Sequence, residues 1–372
     1  MKSTVPSVNP RITVKESKVD NILNYDIDNK YPSRIDDIIK ASGTASNCSE
    51  KYAKFINGKG FKDNSFYKSK INRRQLTVDG LLRQTTADYS KFRGFAIHVN
   101  YNALLQVNEV NYIPFENCRL GLRNSSGYVS KIAVYDNWDL KNGTLDKSKI
   151  DFIDRWNPGP EVIMAQINAA GGIQNYKGQV LWYSADGDDK YPLSIVDPVL
   201  EDVVSDAGMK TFRLRSVSTS FLPSHTVEYP FEFESEEDEQ QEVENWKKFQ
   251  GPENANKIMI LQNKSGPDNS IKINKVELQD TDKMYNITNT TCKNSIIERY
   301  GIPPVLANVL IPGKLGTATE FEDAYKIYNS VTSDERKLFE EKFKEVFSIY
   351  RNPINVSGDY SIIPLSFDVA SL

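Results

Sequence analysis

The pattern of apolar and polar residues is clearest near the end of the chain, where two segments follow the helical period of 3.6 residues. Residues 282–300 predict a first helix that ends at Gly301, because glycine readily adopts the positive φ of a helix end. Residues 318–350 predict a second helix of about 33 residues, which as one continuous rod would measure about 50 Å. A threonine at its start is the expected N-cap, and an irregularity is expected near Thr332.

The connection between these two helices, residues 301–317, is apolar although it contains turn-forming residues. Pro303 and Pro304 follow the first helix and cannot continue it. Residues 305–315 then contain valine, leucine and isoleucine interrupted by proline and glycine. This composition differs from that of an ordinary solvated loop.

In the N-terminal half, short runs alternate between apolar and polar residues, which is the pattern of half-buried strands. The predicted strands are residues 95–101, 107–114, 118–122, 128–135 and 178–183, and the turn residues between the first four favour an antiparallel meander. Helices are predicted at residues 35–42, 46–55, 76–89, 162–170 and 194–216. The polar stretch 140–159 is rich in turn residues, and no strand is predicted within it.

Residues 221–280 predict a small, separate β-α-β-β module. Its elements are strand 226–233, helix 234–249, strand 257–263 and strand 271–278. The helix carries the strongest run of charge in the chain, which includes Glu236, Glu237, Glu239 and Glu242. A run of this kind is usually a solvated helix face. After the second long helix, residues 355–367 predict strands interrupted by glycine and proline.

The composition is that of a globular chain of 372 residues, with 39% hydrophobic and 26% charged residues, long enough for more than one domain. The net charge of −4 argues against a dedicated nucleic-acid-binding protein. The three cysteines are widely spaced and predict no disulfide or metal framework. No run of about 20 apolar residues occurs, so no membrane partner is expected. Residues 1–30 are polar and predict a flexible N-terminal arm.

Residues capable of catalysis are few and scattered. The only two histidines, His98 and His225, have no serine or cysteine arranged around them as a nucleophile, so no catalytic residue and no cofactor are predicted. Asp186, Asp188 and Asp189 surround a glycine as in a calcium loop, but the bidentate glutamate of such a loop is missing. A plain turn is favoured there, and no metal site is predicted.

The order of the predicted elements resembles that of the portal proteins of tailed double-stranded-DNA bacteriophages, of the siphophage type, over residues 30–365. The motif consists of Ile297, Gly301-Ile-Pro-Pro-Val-Leu306, Gly313, Gly316 and Glu320, followed by the long helix. Residues 95–102 and 113–119 are similar to two strands of the portal wing. Tyr191-Pro192 stands before a helix, as the corresponding pair does before the first stem helix of portals.

The resemblance implies an α+β, portal-like fold, with an α/β wing, a two-helix stem, a small β-α-β-β clip and a long helix after a tunnel loop. The implied domains are a flexible arm (1–30), the wing (31–190), the first stem helix (191–220), the clip (221–280), the second stem helix (281–300), the tunnel loop (301–317), the long wing- and crown-side helix (318–350) and C-terminal strands with a minimal crown (351–372).

The resemblance also implies a function without catalysis. The protein is expected to form a homo-oligomeric ring of twelve copies at the portal vertex of the virion, assembled in the host cytoplasm. Double-stranded DNA would be packaged and ejected through this ring. The implied partners are the terminase motor, a head–tail adaptor and the major capsid or scaffolding protein.

Site residues follow from the same resemblance. Val305, Leu306, Asn308 and Lys314 are expected in the tunnel loop that lines the DNA channel. Met284, Ile287, Ile296 and Ile297 are expected in the stem, at the interface between subunits. Glu236, Glu237, Glu239 and Glu242 are expected on an acidic face of the clip, where negative charge would repel DNA and prevent it from stalling.

Two alternatives remain open. A metal-dependent enzyme acting on nucleic acid or nucleotides is supported only by the Asp-rich turn and by residues 313–317, a Gly-Lys-Leu-Gly-Thr segment before a helix start. That segment lacks the remainder of a phosphate-binding loop. Another head–tail connector ring protein is the second alternative, which the chain length and the long helix disfavour.

Overall fold

The computed structural model of the chain describes residues 12–140, 143–218, 225–228, 235–247, 272–275, 281–307 and 317–367. The chain divides into two compact units. Met1–Val203 and Asn294–Leu372 form the first unit, and Val204–Lys293 form the second. The fold class is α+β, as predicted, because a six-stranded sheet and separate helices share the first unit.

The sheet of the first unit is mixed, which corrects the predicted antiparallel meander. Its strands are β3 (Gly94–Tyr101), β4 (Val107–Ile113), β5 (Cys118–Leu120), β6 (Lys131–Val134), β7 (Asp151–Arg155) and β8 (Gln179–Ser184). Their order is β4-β3-β8-β7-β6-β5, and β7 pairs with β8 in parallel while the other neighbours are antiparallel. The meander is wrong because β8 returns to the centre of the sheet, between β3 and β7.

Strand β7 lies inside the stretch that was predicted to form only turns. Two side chains of this strand are buried, Ile153 and Arg155. The buried arginine hides the strand from a search for alternating apolar residues, because that pattern requires an apolar residue at position 155. The guanidinium of Arg155 forms an ion pair with Asp189, which allows this charge to lie in the sheet.

Within the predicted flexible arm, Ile22, Leu23 and Tyr25 are buried in the first unit; residues 1–11 lie outside the described part of the chain. A hairpin of β1 (Lys15–Ser17) and β2 (Ile22–Asn24) brings Tyr25 into the core with 0% exposure. The buried Arg119 donates through Nη2 to the carbonyl oxygen of Asn29 at 2.8 Å.

Four helices precede the sheet in the chain. They are α1 (Tyr31–Ala41), α2 (Gly43–Asn57), α3 (Asn64–Lys68) and α4 (Val78–Phe92). Three of them were predicted, with ends that differ by up to four residues, and α3 was not predicted. Ser42 caps α2 by accepting the backbone N–H of Ala45 at 3.1 Å, and Thr77 caps α4 by accepting that of Gly80 at 3.1 Å. A fifth helix, α5 (Pro160–Ala169), lies between β7 and β8.

The predicted rod of about 33 residues is two helices, α9 (Ala318–Val331) and α10 (Ser333–Phe347). Thr317 begins α9 with a capping box, in which Glu320 returns a hydrogen bond. The break falls at Thr332, where the irregularity was predicted; its φ of −94° and ψ of 13° leave the helical region. The Thr332 hydroxyl donates to the Tyr328 carbonyl oxygen at 3.0 Å and accepts from Arg336 Nη1 at 2.8 Å, so side chains fix the break.

Residues 355–367 form no strand, which corrects that prediction. Ile362 makes one isolated antiparallel bridge with Phe61. Backbone hydrogen bonds join Lys59 to the carbonyl oxygen of Ile363 at 2.8 Å and Ile363 to that of Gly60 at 2.9 Å. The segment therefore ties the turn after α2 to the rest of the unit without entering a sheet.

The second unit contains three of the four elements predicted for residues 221–280. They are β9 (His225–Glu228), α7 (Glu236–Lys247) and β10 (Lys272–Lys275), and β9 pairs with β10 in antiparallel register. The predicted strand 257–263 lies outside the described residues. Two further helices, α6 (Leu200–Ser218) and α8 (Thr281–Arg299), extend across the two boundaries of the unit.

Candidate functional site: the roots of α6 and α8

The two helices that cross the unit boundaries begin and end beside each other in the first unit. Helix α6 follows a single 3₁₀ turn, Asp197–Val199, and α8 ends at Arg299. The Nε of Arg299 donates a hydrogen bond to the carbonyl oxygen of Ile195. We call residues 194–199 and 296–300 the helix roots. The 90-residue second unit is therefore inserted between two helix roots that contact each other.

The carboxylate of Asp197 is the polar centre of these roots. It accepts the hydroxyl of Tyr31 at 2.7 Å, and the Tyr31 oxygen accepts the backbone N–H of Ser194 at 3.0 Å. Burial raises the pKa of Asp197, while Tyr31 and the charge of Arg299 oppose this shift. Burial also raises the pKa of Tyr31 well above its ordinary value. Helix α1, which carries Tyr31, thus holds the start of α6 in place.

The end of α8 is anchored in the core of the first unit. Gly301 has the predicted positive φ, +61°, and the N–H of Ile302 donates to the carbonyl oxygen of Ile297 at 3.2 Å, which closes the helix end. Ile296 and Ile297, expected at the subunit interface, are 0% and 6% exposed within a single chain. Packing inside one copy therefore accounts for both of these residues.

The other two stem residues differ from this pair. Ile287 lies on α8 with 67% of its surface exposed, so it is available to a neighbouring molecule. Met284 lies on the same helix, and its side chain lies outside the described part of the structure.

The start of the predicted tunnel loop is packed rather than free. Leu306 is 7% exposed, Val305 is half-buried, and the Nζ of Lys51 donates to the carbonyl oxygen of Leu306. The N–H of Leu306 donates to the carbonyl oxygen of Pro303 at 2.9 Å, which forms a turn directly after the prolines. Asn308 and Lys314 lie outside the described residues.

The acidic helix α7 carries six carboxylates and one lysine in twelve residues. Ser235 begins it by accepting the backbone N–H of Asp238 at 3.2 Å. Glu236 and Glu237 are exposed. Glu239 and Glu242 lie in the same helix, but their side chains are outside the described residues.

The Asp-rich turn behaves as a structural turn held by arginines. Asp189 pairs with Arg155, and Asp186 pairs with Arg93 at 3.3 Å. Asp186 also accepts the backbone N–H of Leu193 at 2.8 Å. Over the described ranges, no group of three or more His, Cys, Asp or Glu residues is arranged to hold a metal ion.

The side chains of His98 and of the three cysteines are likewise engaged or buried. The Nε2 of His98 lies 2.7 Å from the carbonyl oxygen of Lys177, and burial lowers the pKa of this histidine. Cys48, Cys118 and Cys292 are buried, and none of them forms a disulfide bond. Among the helices that the structure describes, none is long and apolar enough to cross a membrane.

Sequence reasoning missed Arg299 as the residue that joins the two helix roots. A basic residue in the last turn of a helix is a recognisable signal, because it complements the negative end of the helix dipole. Nothing in the sequence pointed to its acceptor, the carbonyl oxygen of Ile195, which is 104 residues earlier. Tyr31 was visible as the start of a Tyr-Pro pair, but its contact with Asp197 was not.

No family model and no curated protein matches the sequence. Among solved structures, a chain in the virion of a native gene transfer agent particle is 10% identical, with a TM-score of 0.48 over 78% of this chain and 74% of that chain. A chain in the neck of the native particle, computed with C12 symmetry, is 12% identical, with a TM-score of 0.43 over 79% and 75%. An HK97 family phage portal protein from Corynebacterium diphtheriae is 8% identical, with a TM-score of 0.42 over 77% and 82%.

Proposed function

We propose that this chain is the portal protein of a tailed-phage-like particle. In this proposal, identical copies form a ring at one capsid vertex, and double-stranded DNA enters and leaves the particle through the ring. The ring also provides the docking platform for the terminase motor and the tail connector. The protein moves no electrons or groups itself; a separate ATPase supplies the force.

The observation that carries the proposal is the insertion of the second unit between two helices whose roots contact each other. Arg299 holds the end of α8 against Ile195, which lies five residues before α6 begins. A pair of helices rooted in one unit and carrying another is what a stem with a clip requires. The predicted element order, from the wing strands to the Ile-Pro-Pro turn and the helices beyond it, supports the same assignment.

The charge and exposure of the second unit fit this role. The exposed acids Glu236 and Glu237 would present negative charge to passing DNA, which carries one charge per about 1.7 Å of duplex. Repulsion keeps such a polymer from binding where it must slide. Ile287, exposed on α8, would contact the neighbouring copy through a heterologous interface, which closes into a ring when its rotation closes.

The remaining assignments belong to the same proposal. Residues 31–190 would form the wing, 191–220 and 281–300 the stem, and 221–280 the clip. The loop 301–317 would approach the DNA through its later part, which includes Asn308 and Lys314. Val305 and Leu306 would serve as its packed base, because Leu306 is buried and tied to Lys51.

Imaging of the purified full-length chain tests the proposal. Negative-stain electron microscopy, with and without a co-expressed capsid scaffolding protein, should show closed rings with a central channel, and mass photometry should give one discrete high mass. A chain that stays monomeric under both conditions, at high concentration, contradicts the proposal. Twelve copies is the number that the proposal expects, and the mass measures it directly.

A further inference from the structure

The outer edge of β4 is covered by two separate segments of the chain. Val107 donates to the carbonyl oxygen of Ile349 at 3.0 Å and accepts the N–H of Arg351 at 2.8 Å. Three residues further along the strand, the N–H of Val110 donates to the carbonyl oxygen of Ile71 at 3.0 Å. Strand β4 lies at the end of the six-stranded sheet, so these segments satisfy groups that would otherwise form an open edge.

Both covering segments bring an arginine to the same place on β4. The Nη1 of Arg351 donates to Asn108 Oδ1 at 2.7 Å, and the Nε of Arg73 pairs with Glu109 Oε1 at 2.7 Å. Asn108 has no partner in the β3–β4 register, so it is the extra residue of a β-bulge. Bulges re-aim the side chains next to them. Consecutive residues of one strand therefore receive two guanidinium groups.

Two further cations flank residues 71–73 of the first covering segment in the chain. Lys70 and Arg74 are exposed, and the structure gives neither of them an ion pair among the residues it describes. The hydroxyl of Tyr350 donates to the carbonyl oxygen of Ile71 at 3.3 Å, which joins the two covering segments to each other. We define Lys70, Arg73, Arg74 and Arg351 as the cationic edge.

The charge of this edge is opposite to that of the whole chain. The edge carries four cations, of which Arg73 pairs with the carboxylate of Glu109, in a protein with a net charge of −4. The side chain of Arg73 is 88% exposed, so its ion pair is weak and can exchange for another anion. Basic side chains often guard an open strand edge against pairing with another chain. The cations are not needed to prevent such pairing here, because backbone hydrogen bonds already occupy the edge at Val107 and Val110.

We propose that the cationic edge binds the phosphate backbone of duplex nucleic acid. Three of its four cations are arginines, whose planar fork donates two parallel hydrogen bonds to a phosphate. Contacts to phosphates release condensed counterions, so the binding is independent of base sequence and depends steeply on salt. This surface lies at the edge of the sheet of the first unit, and it includes none of the residues that the proposed portal assigns to the channel.

Fluorescence anisotropy of a labelled duplex of about 20 base pairs, titrated with the full-length chain between about 50 and 200 mM salt, tests the proposal. The combined variant Arg73→Ala, Arg74→Ala, Arg351→Ala should lower the slope of log K against log salt by about 0.9 for each phosphate that it no longer binds. Near 50 mM salt, its affinity should fall at least about tenfold. The variant Lys70→Ala, Arg74→Ala removes no ion pair among the described residues. It should show about two-thirds of the slope change of the triple variant, because it removes two cations rather than three.

A control of equal charge change is Lys149→Ala, Lys326→Ala, Lys337→Ala. Each of these lysines is at least 69% exposed and pairs with an aspartate three residues away. The control should leave the slope unchanged, since these lysines lie outside the cationic edge. Circular dichroism and thermal melting confirm that each variant is folded.

Three outcomes contradict the proposal. The first is a cationic-edge variant that binds the duplex as the unaltered chain does. The second is an equal loss of affinity in the control, which would attribute binding to net charge alone. The third is that labelled poly-glutamate binds the unaltered chain, and loses affinity in the cationic-edge variants, while the duplex does not bind. That result would identify an acidic polypeptide as the partner. Ring formation is measured separately, so failure here leaves the proposed function untouched.

Discussion

The hydroxyl of Tyr112, on β4, donates to both oxygens of the Asp88 carboxylate on α4, at 3.0 and 2.9 Å. The backbone N–H of Phe115 donates to the same carboxylate at 2.9 Å. These bonds favour the ionised form, but burial dominates and raises the pKa of Asp88 to about 7. An acid that binds a proton near neutral pH thus joins a helix to the sheet of the first unit.

The stability of the chain should therefore depend on pH through Asp88. Its folded-state pKa lies above the unfolded value of 3.8, so between these values the folded chain holds a proton that the unfolded chain has lost. The contribution of Asp88 to the unfolding free energy is full below pH 4 and is lost as the pH rises towards 7. Each pH unit corresponds to about 1.4 kcal/mol, so about 2–3 kcal/mol should be lost between pH 5 and 7.

Asp88→Asn isolates this contribution, because the amide stays neutral at every pH and its oxygen can still accept hydrogen bonds. Urea unfolding at a series of pH values should show that the unfolding free energy of the unaltered chain falls between pH 5 and 7. The variant should lack the part of this fall that is assigned to Asp88. Asp334→Asn is the control, since the Asp334 side chain is 91% exposed. Parallel pH curves for the unaltered chain and Asp88→Asn would contradict the raised pKa.

Tyr31→Phe should weaken the helix roots. The substitution keeps the ring and removes the hydroxyl, which leaves the carboxylate of Asp197 and the N–H of Ser194 without their shared partner. A buried group left unsatisfied costs about 1–3 kcal/mol. Chemical denaturation should show this loss. Tyr128→Phe, at a side chain that is 43% exposed, should change stability by less than about 0.5 kcal/mol. Equal stability of the two variants would show that the Tyr31 hydroxyl does not support the roots.

Two glycine substitutions should have opposite effects. Gly301→Ala places a side chain at φ +61° and should cost about 1 kcal/mol; among the described residues the added Cβ would meet Val331 Cγ1 alone, at an ordinary 3.5 Å. Gly208→Ala lies inside α6, where none of the described residues comes within 4 Å of the added Cβ, and should stabilise that helix by about 0.5–1 kcal/mol. Thermal melting compares the two. A stabilising Gly301→Ala would mean that α8 ends differently.

The sequence predicted the elements of this chain better than their arrangement. The sequence marked Gly301, where the chain leaves α8, and Thr317, which caps α9, because caps are local chemistry that can be read from a few residues. Strand β7 was missed because its buried Arg155 takes its partner, Asp189, from 34 residues further along the chain. Local patterns contain no information about such pairs.

At the candidate site, too, the sequence predicted local features better than contacts between distant residues. The amphipathic pattern identified Ile296 and Ile297 as apolar helix positions, and both are buried. The pattern does not say whether these residues are buried within one copy or between copies. The packing of the first unit shows that both are buried within one copy. The helical periodicity also does not predict that Ile287, on the same helix, is exposed. The assignment of a neighbour to Ile287 therefore stays a prediction.

Charged substitutions at two isoleucines of α8 separate folding from assembly. Ile297→Asp buries a carboxylate in the core and should prevent folding or cost at least about 3 kcal/mol, seen as the absence of cooperative unfolding. Ile287→Asp lies at a position that is 67% exposed, so it should leave the melting temperature nearly unchanged and reduce ring formation in negative-stain images. Ile327→Asp on α9, 58% exposed, is the matched control and should form rings normally. Normal rings from Ile287→Asp would exclude this face of α8 from the subunit interface.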